Sequence, residues 1–174
     1  MTGPPTVTVV SIGNPYRSDD GVGAVVLARL REEFAGDDRV RFADLDGEPV
    51  RVVQTWEGSS IVWVVDATSS GQPPGTIHEV ALAQLEDRLD VGVEGGHAMG
   101  LGEAVELARA LDRLPDDLRV LGIEGASFEE GDGLSAPVAG AAVVAADHLA
   151  ETICRSLDQD VPEGRSGSGR PIAG

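Results

Sequence analysis

Lysine is absent from this chain of 174 residues, cysteine occurs once, and aromatic residues make up only 3% of it. Each shortage excludes something. With Cys154 alone, no disulfide can form within the chain, which fits a reducing compartment. So few aromatic rings leave Val, Ala, Leu and Ile to fill the core. All 13 basic residues are arginines, and they face 30 acidic ones, for a formal net charge of -17. Phosphate backbones and anionic lipid reward a basic surface, so neither nucleic acid nor a membrane is expected as a partner. No apolar run approaches the roughly 18 residues of a membrane span. The N-terminal MTGPPTVTVV lacks the basic flank and apolar core of a secretion signal, so a cytoplasmic location is expected. Several chemistries lack their motifs as well: there is no G-x-G-x-x-G, P-loop, H-E-x-x-H, G-x-S-x-G or C-x-x-C pattern.

What is present alternates. Short apolar runs at Thr6–Ile12, Val40–Leu45, Ser60–Val65, Thr76–Leu82 and Leu118–Ile123 read as strands, with Asp66 ending the third. Between and after them, Asp20–Phe34, Pro49–Trp56, Leu101–Leu114 and Ser135–Leu157 read as helices, the last with Ser135 or Ala136 at its N-cap and Pro137 in its first turn. Gln84–Leu89 reads as a helical turn and GGHAMG as a loop. There are no internal repeats. Residues 1–160 are expected to form one domain, and 161–174, rich in Gly, Ser and Arg, a disordered tail. Alternating strands and helices imply a layered α/β sandwich. The connection from Asp66 to Thr76 has only nine residues, two of them proline, and a parallel crossover needs about a dozen or more. The fourth strand should therefore run against the third, giving a mixed five-stranded sheet.

Ligands in such sheets bind beyond the carboxyl ends of the parallel strands. Asp19 and Asp20 follow the first strand, inside GNPYRSDDGVG, Asp66 closes the third, and His97 lies in the loop after the fourth. An aspartate pair in a glycine-rich turn repels phosphate and asks for a cation or a cap. Asp20, Asp66 and His97 can converge on one rim as two oxygen ligands and one nitrogen ligand, leaving a divalent transition metal an open position. Each has a plainer reading alone: a helix-start aspartate is commonly an N-cap, and one at a strand end commonly holds a turn. His78, His148 and Cys154 are expected to be structural, and Glu129, Glu130 and Asp132 to be solvated surface.

Four blocks together resemble a known family. They are SIGNPYRSDDGVGAVVLARL (Ser11–Leu30), VVDATSSGQPPGT (Val64–Thr76), HAMGLGEAVELARAL (His97–Leu111) and GIEGASFEEGDGLSAPVAGAA (Gly122–Ala142). Their order and content are similar to those of the hydrogenase maturation proteases, endopeptidases of the HybD-like group. The resemblance implies a three-layer α/β/α sandwich of phosphorylase/hydrolase-like type. It implies removal of a C-terminal peptide from the precursor of a [NiFe]-hydrogenase large subunit, after nickel has been inserted. It also implies that Asp20, Asp66 and His97 are both the metal-binding and the catalytic residues, Asp19 being a neighbour that is not the usual ligand. Nickel would arrive on the precursor, held by its cysteines, and the resting enzyme, a monomer, would be metal-free; zinc or cadmium would also suit the carboxylates. Two roles for the metal stay open: activating water or polarising the carbonyl, or positioning the peptide while a carboxylate acts as base. Two rivals also stay open, a nickel-dependent chaperone that binds the precursor without cutting it and a metallopeptidase of small peptides. Gly95–Gly96 and Gly125 depart from the family pattern, where Ser or Thr and Pro are common.

Overall fold

The apolar run before the first helix and the one leading to Asp66 become neighbouring strands inside one sheet. A computed structural model describes residues 6–84 and 98–159 of the protein. Strands β1 (Val7–Ile12), β2 (Val40–Leu45), β3 (Ile61–Thr68), β4 (Ile77–Ala81) and β5 (Asp117–Glu124) form, among the described residues, a five-stranded sheet of order β2-β1-β3-β5-β4. β1, β2, β3 and β5 are parallel, and β4 is antiparallel to β5. The short connection from β3 to β4 thus does reverse the chain, as its length predicts, but β4 does not pair with β3. β5 inserts between them.

Helices α1 (Val22–Glu33) and α4 (Ala136–Asp158) cover one face, and α2 (Pro49–Trp56) and α3 (Ala98–Ala110) the other. The result is the three-layer sandwich expected. The first apolar layer joins Val22, Val26, Leu27 and Leu30 of α1 to an alanine-rich stripe of α4 and to Val7, Val9, Trp63 and Val65 of the sheet. Small side chains on α4, such as Ala142 and Ala145, let two helices lie closely side by side over the strands. The second layer packs Val52, Val53 and Trp56 of α2 and Leu101, Ala104 and Val105 of α3 on Val10, Ile12, Val62 and Val64. Trp56 and Trp63 supply the bulk, one per layer.

Several boundaries differ from the sequence reading. β3 does not stop at Asp66: pairing with β5 carries it on, Ala67 opposite Ile123 and Thr68 opposite Glu124. α1 begins at Val22, because Ser18–Gly21 forms a separate 3₁₀ turn. α3 ends at Ala110, four residues early, and Asp112 follows with a positive φ of 55°. His97, the GGH part of the GGHAMG loop, all of the Gln84–Leu89 turn but its first residue, and the 161–174 tail lie outside the described residues. Among those described, no helix is long and apolar enough to cross a membrane.

Candidate active site

β1 and β3 run in parallel register so that Ile12 pairs with Asp66, which puts the loop leaving β1 beside the end of β3. That loop is pulled back over the sheet edge at its first residue. Gly13 has φ 148°, its N–H donates to the Leu45 carbonyl at 3.2 Å, and a Cβ there would fall 2.2 Å from the Asp20 carbonyl oxygen. Only glycine tolerates that approach. Gly13→Ala should push the 3₁₀ turn off the sheet and lower activity at least about tenfold while costing about 1–3 kcal/mol of stability; paired activity and melting measurements check this.

The two adjacent aspartates of the turn have opposite fates. Asp19 is fully buried and reaches away from α1. Its Oδ1 accepts from the Ser135 N–H (2.7 Å), and its Oδ2 from the N–H groups of Ala126 (2.8 Å) and Ser127 (3.1 Å) and from the Ser135 hydroxyl (2.9 Å). Burial pushes this carboxyl up, but the donors from Ser135, Ala126 and Ser127 outweigh it and hold Asp19 below the usual carboxylate range. It is therefore an ionised brace between the first loop and the β5–α4 loop. Neither Asp19 nor Asp20 caps α1, as a sequence reading suggests for a helix start, since Gly21 is the N-cap. Ser135 is the N-cap residue of α4, yet its hydroxyl turns to Asp19. The brace extends outward through Ser18, whose N–H donates to the Gly131 carbonyl and whose hydroxyl donates to the Glu129 carbonyl. Ser18 has a φ of 51°, an uncommon conformation for a residue with a side chain, and these bonds hold it there.

Asp20 turns the other way. It is buried, and its Oδ2 accepts from the Asn14 N–H at 2.8 Å. Asp66, 6% exposed at the carboxyl end of the sheet, lies near enough to feel its charge. Burial first, and the negative Asp20 second, push the Asp66 carboxyl up to about 8, against a lowering bond from the Ala67 N–H. Asp66 Oδ1 is buried and meets no hydrogen-bond partner among the described residues. A buried carboxyl that keeps its proton beside the charge of Asp20, with one oxygen unmatched, suits a divalent cation, which would displace that proton and give the oxygen a ligand to hold. Two carboxylates offer hard oxygen donors only, and among the described residues no set of three His, Cys, Asp or Glu side chains is placed to hold a metal. His97, expected as the nitrogen donor, lies outside those residues.

Glu124, which the sequence reading passed over, is the fourth buried carboxylate at this edge, after Asp19, Asp20 and Asp66, and is 2% exposed at the end of β5. Its Oε1 accepts from the N–H groups of Ser70 (2.7 Å) and Gly71 (2.9 Å), and its Oε2 from the hydroxyls of Thr68 and Ser70, both at 2.9 Å. Burial raises this carboxyl, and the Thr68 and Ser70 donors bring it below its ordinary value. The one signal available was a lone acid closing an apolar strand, and its partners are more than 50 residues away. His78 pairs with Gly122, as Asp66 does on the other side, so one cross-strand row joins them. Cys154 is exposed, His148 Nε2 lies 3.0 Å from Glu79, and Glu129, Glu130 and Asp132 are exposed as expected.

Comparison with known proteins agrees with this architecture. The model of the hydrogenase maturation protease family matches residues 25–153. The chain is 28% identical over 140 residues to the hydrogenase expression/formation protein HupM of Azotobacter chroococcum mcd 1, covering 79% of this chain and 67% of HupM. It is 25% identical over 137 residues to HupD of Thiocapsa roseopersicina, of whose length it covers 62%. Among solved structures it is similar to the hydrogenase maturating endopeptidase HybD from E. coli, with a TM-score of 0.78 at 20% identity, over 87% of this chain and 93% of HybD.

Proposed function

The chain belongs to the hydrogenase maturation protease family, and from that premise we propose that it hydrolyses one peptide bond near the C-terminus of a [NiFe]-hydrogenase large-subunit precursor once nickel is in place. The observation that carries this reading is the Asp20–Asp66 pair, two buried carboxylates near enough for one to feel the other's charge, with one Asp66 oxygen unmatched. Holding such a pair without a cation is unfavourable. A nickel ion borne by the precursor matches it, so the enzyme discriminates loaded from unloaded precursor by charge. His97 is proposed as the third ligand. Its support is positional: it directly precedes Ala98, the first residue of α3, and Gly100 in that first turn lies so close to the Gly47 carbonyl that a Cβ would fall 2.5 Å from it. Gly47 in turn borders Ile12 at the carboxyl edge of β1. The resting enzyme is proposed to be metal-free, and to act as a cytoplasmic monomer.

In the hydrolysis a water adds to the scissile carbonyl and the C–N bond breaks, with the departing amine taking a proton. Asp66 suits the proton traffic. With its carboxyl at about 8 it holds a proton at neutral pH, and an arriving cation favours the release of that proton, leaving a carboxylate able to hold the cation or accept a proton beside the bond to be cut. Asp20, held from Asn14, orients the pair.

The test is cleavage of a cognate precursor followed by intact mass, with and without nickel in the precursor. Wild type should remove a C-terminal peptide only from the loaded form, and His97→Ala should lose at least about a hundredfold in rate. Binding of the loaded precursor without a mass change would favour a chaperone instead. Cleavage of short unloaded peptides would favour a general metallopeptidase.

A further inference from the structure

The turn between β3 and β4 presents a contradiction. Ser69, Ser70, Gly71, Gln72, Pro73 and Pro74 are all exposed, and none belongs to either apolar layer. Yet the turn is tied down by a dense set of hydrogen bonds. At its base the Gly125 N–H donates to the Thr68 carbonyl (2.9 Å), the Gly75 N–H to the Glu124 carbonyl (2.7 Å) and the Glu124 N–H to the Thr76 carbonyl (2.8 Å). The Thr76 hydroxyl donates to the Pro73 carbonyl at 2.6 Å. Inside the turn sits the Glu124 carboxylate with its bonds to Thr68, Ser70 and Gly71. Burying a carboxylate is costly even when it is well bonded, and an apolar side chain would serve the core better. Here the buried charge stabilises only the shape of an exposed loop.

That loop leaves the sheet two residues beyond Asp66. Its prolines have fixed φ and no N–H, so it presents their pyrrolidine rings in one geometry, with little entropy to lose on contact. We propose that Glu124 is a positioning residue of the peptidase site, holding Ser69–Pro74 as a preformed wall along which the C-terminal segment of the precursor lies. This rests on the maturation-protease reading above. Glu124 acts through the wall and touches neither the reacting atoms nor the Asp20–Asp66 pair. Its contribution therefore falls on substrate binding.

The proposal is tested by steady-state cleavage of nickel-loaded precursor by the full-length protein as wild type, Glu124→Ala, Glu124→Gln and Pro73→Gly. Glu124→Ala should raise KM about tenfold, with kcat within about threefold of wild type. Glu124→Gln should stay near wild type, because the Thr68 and Ser70 hydroxyls can turn to accept from the amide while its oxygen keeps the two backbone donors. Pro73→Gly, which leaves Glu124 and both aspartates in place, should raise KM in the same direction. An unchanged KM in Glu124→Ala, a loss confined to kcat, or a Gln variant as poor as the Ala variant would each overturn the proposal. Should Glu124→Ala fail to fold, Pro73→Gly decides: a raised KM supports the wall and a wild-type KM removes it. If wild type does not cleave the loaded precursor, the peptidase reading falls by itself. Calorimetric affinity of that precursor for wild type and Pro73→Gly then decides the wall, equal affinities overturning it.

Discussion

Asp66→Asn should stabilise the metal-free protein and abolish its activity. The folded carboxyl holds its proton up to about pH 8, whereas an unfolded aspartate releases it near 3.8. Its contribution to stability is therefore complete below the unfolded value and is lost progressively as pH rises through the folded one. At about 1.4 kcal/mol per pH unit, the wild type gives up a few kcal/mol across that window, and the asparagine variant, which does not titrate, gives up none. Melting curves at about pH 5 and about pH 8 should nearly coincide for the variant and separate for wild type by several degrees. Activity should move the other way, with cleavage of loaded precursor falling by at least about a thousandfold. Binding of loaded precursor at neutral pH should also release close to one proton from wild type and none from the variant, read by calorimetry in buffers of different ionisation enthalpy. A variant that is active, or one no more stable at high pH, would show that Asp66 is not the strained member of a cation-receiving pair.

Asp19→Ala should do the reverse at the neighbouring position, costing stability first. Removing this carboxylate strands the N–H groups of Ser135, Ala126 and Ser127 in a part-buried place. Breaking a buried, multiply bonded charge typically costs about 3 kcal/mol or more. The brace is also an acid-sensitive one. Because the folded Asp19 carboxyl lies below its ordinary value of 3.8, the stability it lends is present above that value and is lost as pH falls through the folded one. Denaturant unfolding at neutral pH should show the loss directly, and the difference between variant and wild type should narrow in strong acid. Activity of whatever fraction remains folded should fall as well, since the 3₁₀ turn that presents Asp20 is the same turn that Asp19 ties down. A variant within about 0.5 kcal/mol of wild type would mean the bonds to the β5–α4 loop are incidental.

Much of this arrangement was legible along the chain. The runs TVTVVSI and SIVWVV read as buried strands, since a short stretch dominated by Val and Ile fits the middle of a two-sided sheet. The short, proline-bearing link after Asp66 forced a reversal of direction. Pro137 marked the start of the last helix to within a residue. The Asp20–Asp66 neighbourhood followed from the rule that loops at the carboxyl ends of adjacent parallel strands meet. What misled was local reasoning applied to side chains with distant partners. Asp19 looked like a helix cap because aspartate at a helix start usually is one, but its donors lie more than 100 residues away. β3 continued past Asp66 because β5 was there to pair with it, a fact no window around residue 66 contains.

The sequence by itself determined the layers, the sense of each strand and the edge at which chemistry could occur, because periodicity, turn length and apolar run length are properties of neighbouring residues. Only the tertiary structure decided which of the buried acids is strained and which are satisfied. Asp19 and Glu124 find ring after ring of N–H and O–H donors brought in by remote loops, whereas Asp66 finds burial and the charge of Asp20. All three are carboxylates at the same rim, and the difference between a brace and a cation-receiving site lies in what the fold places around each oxygen.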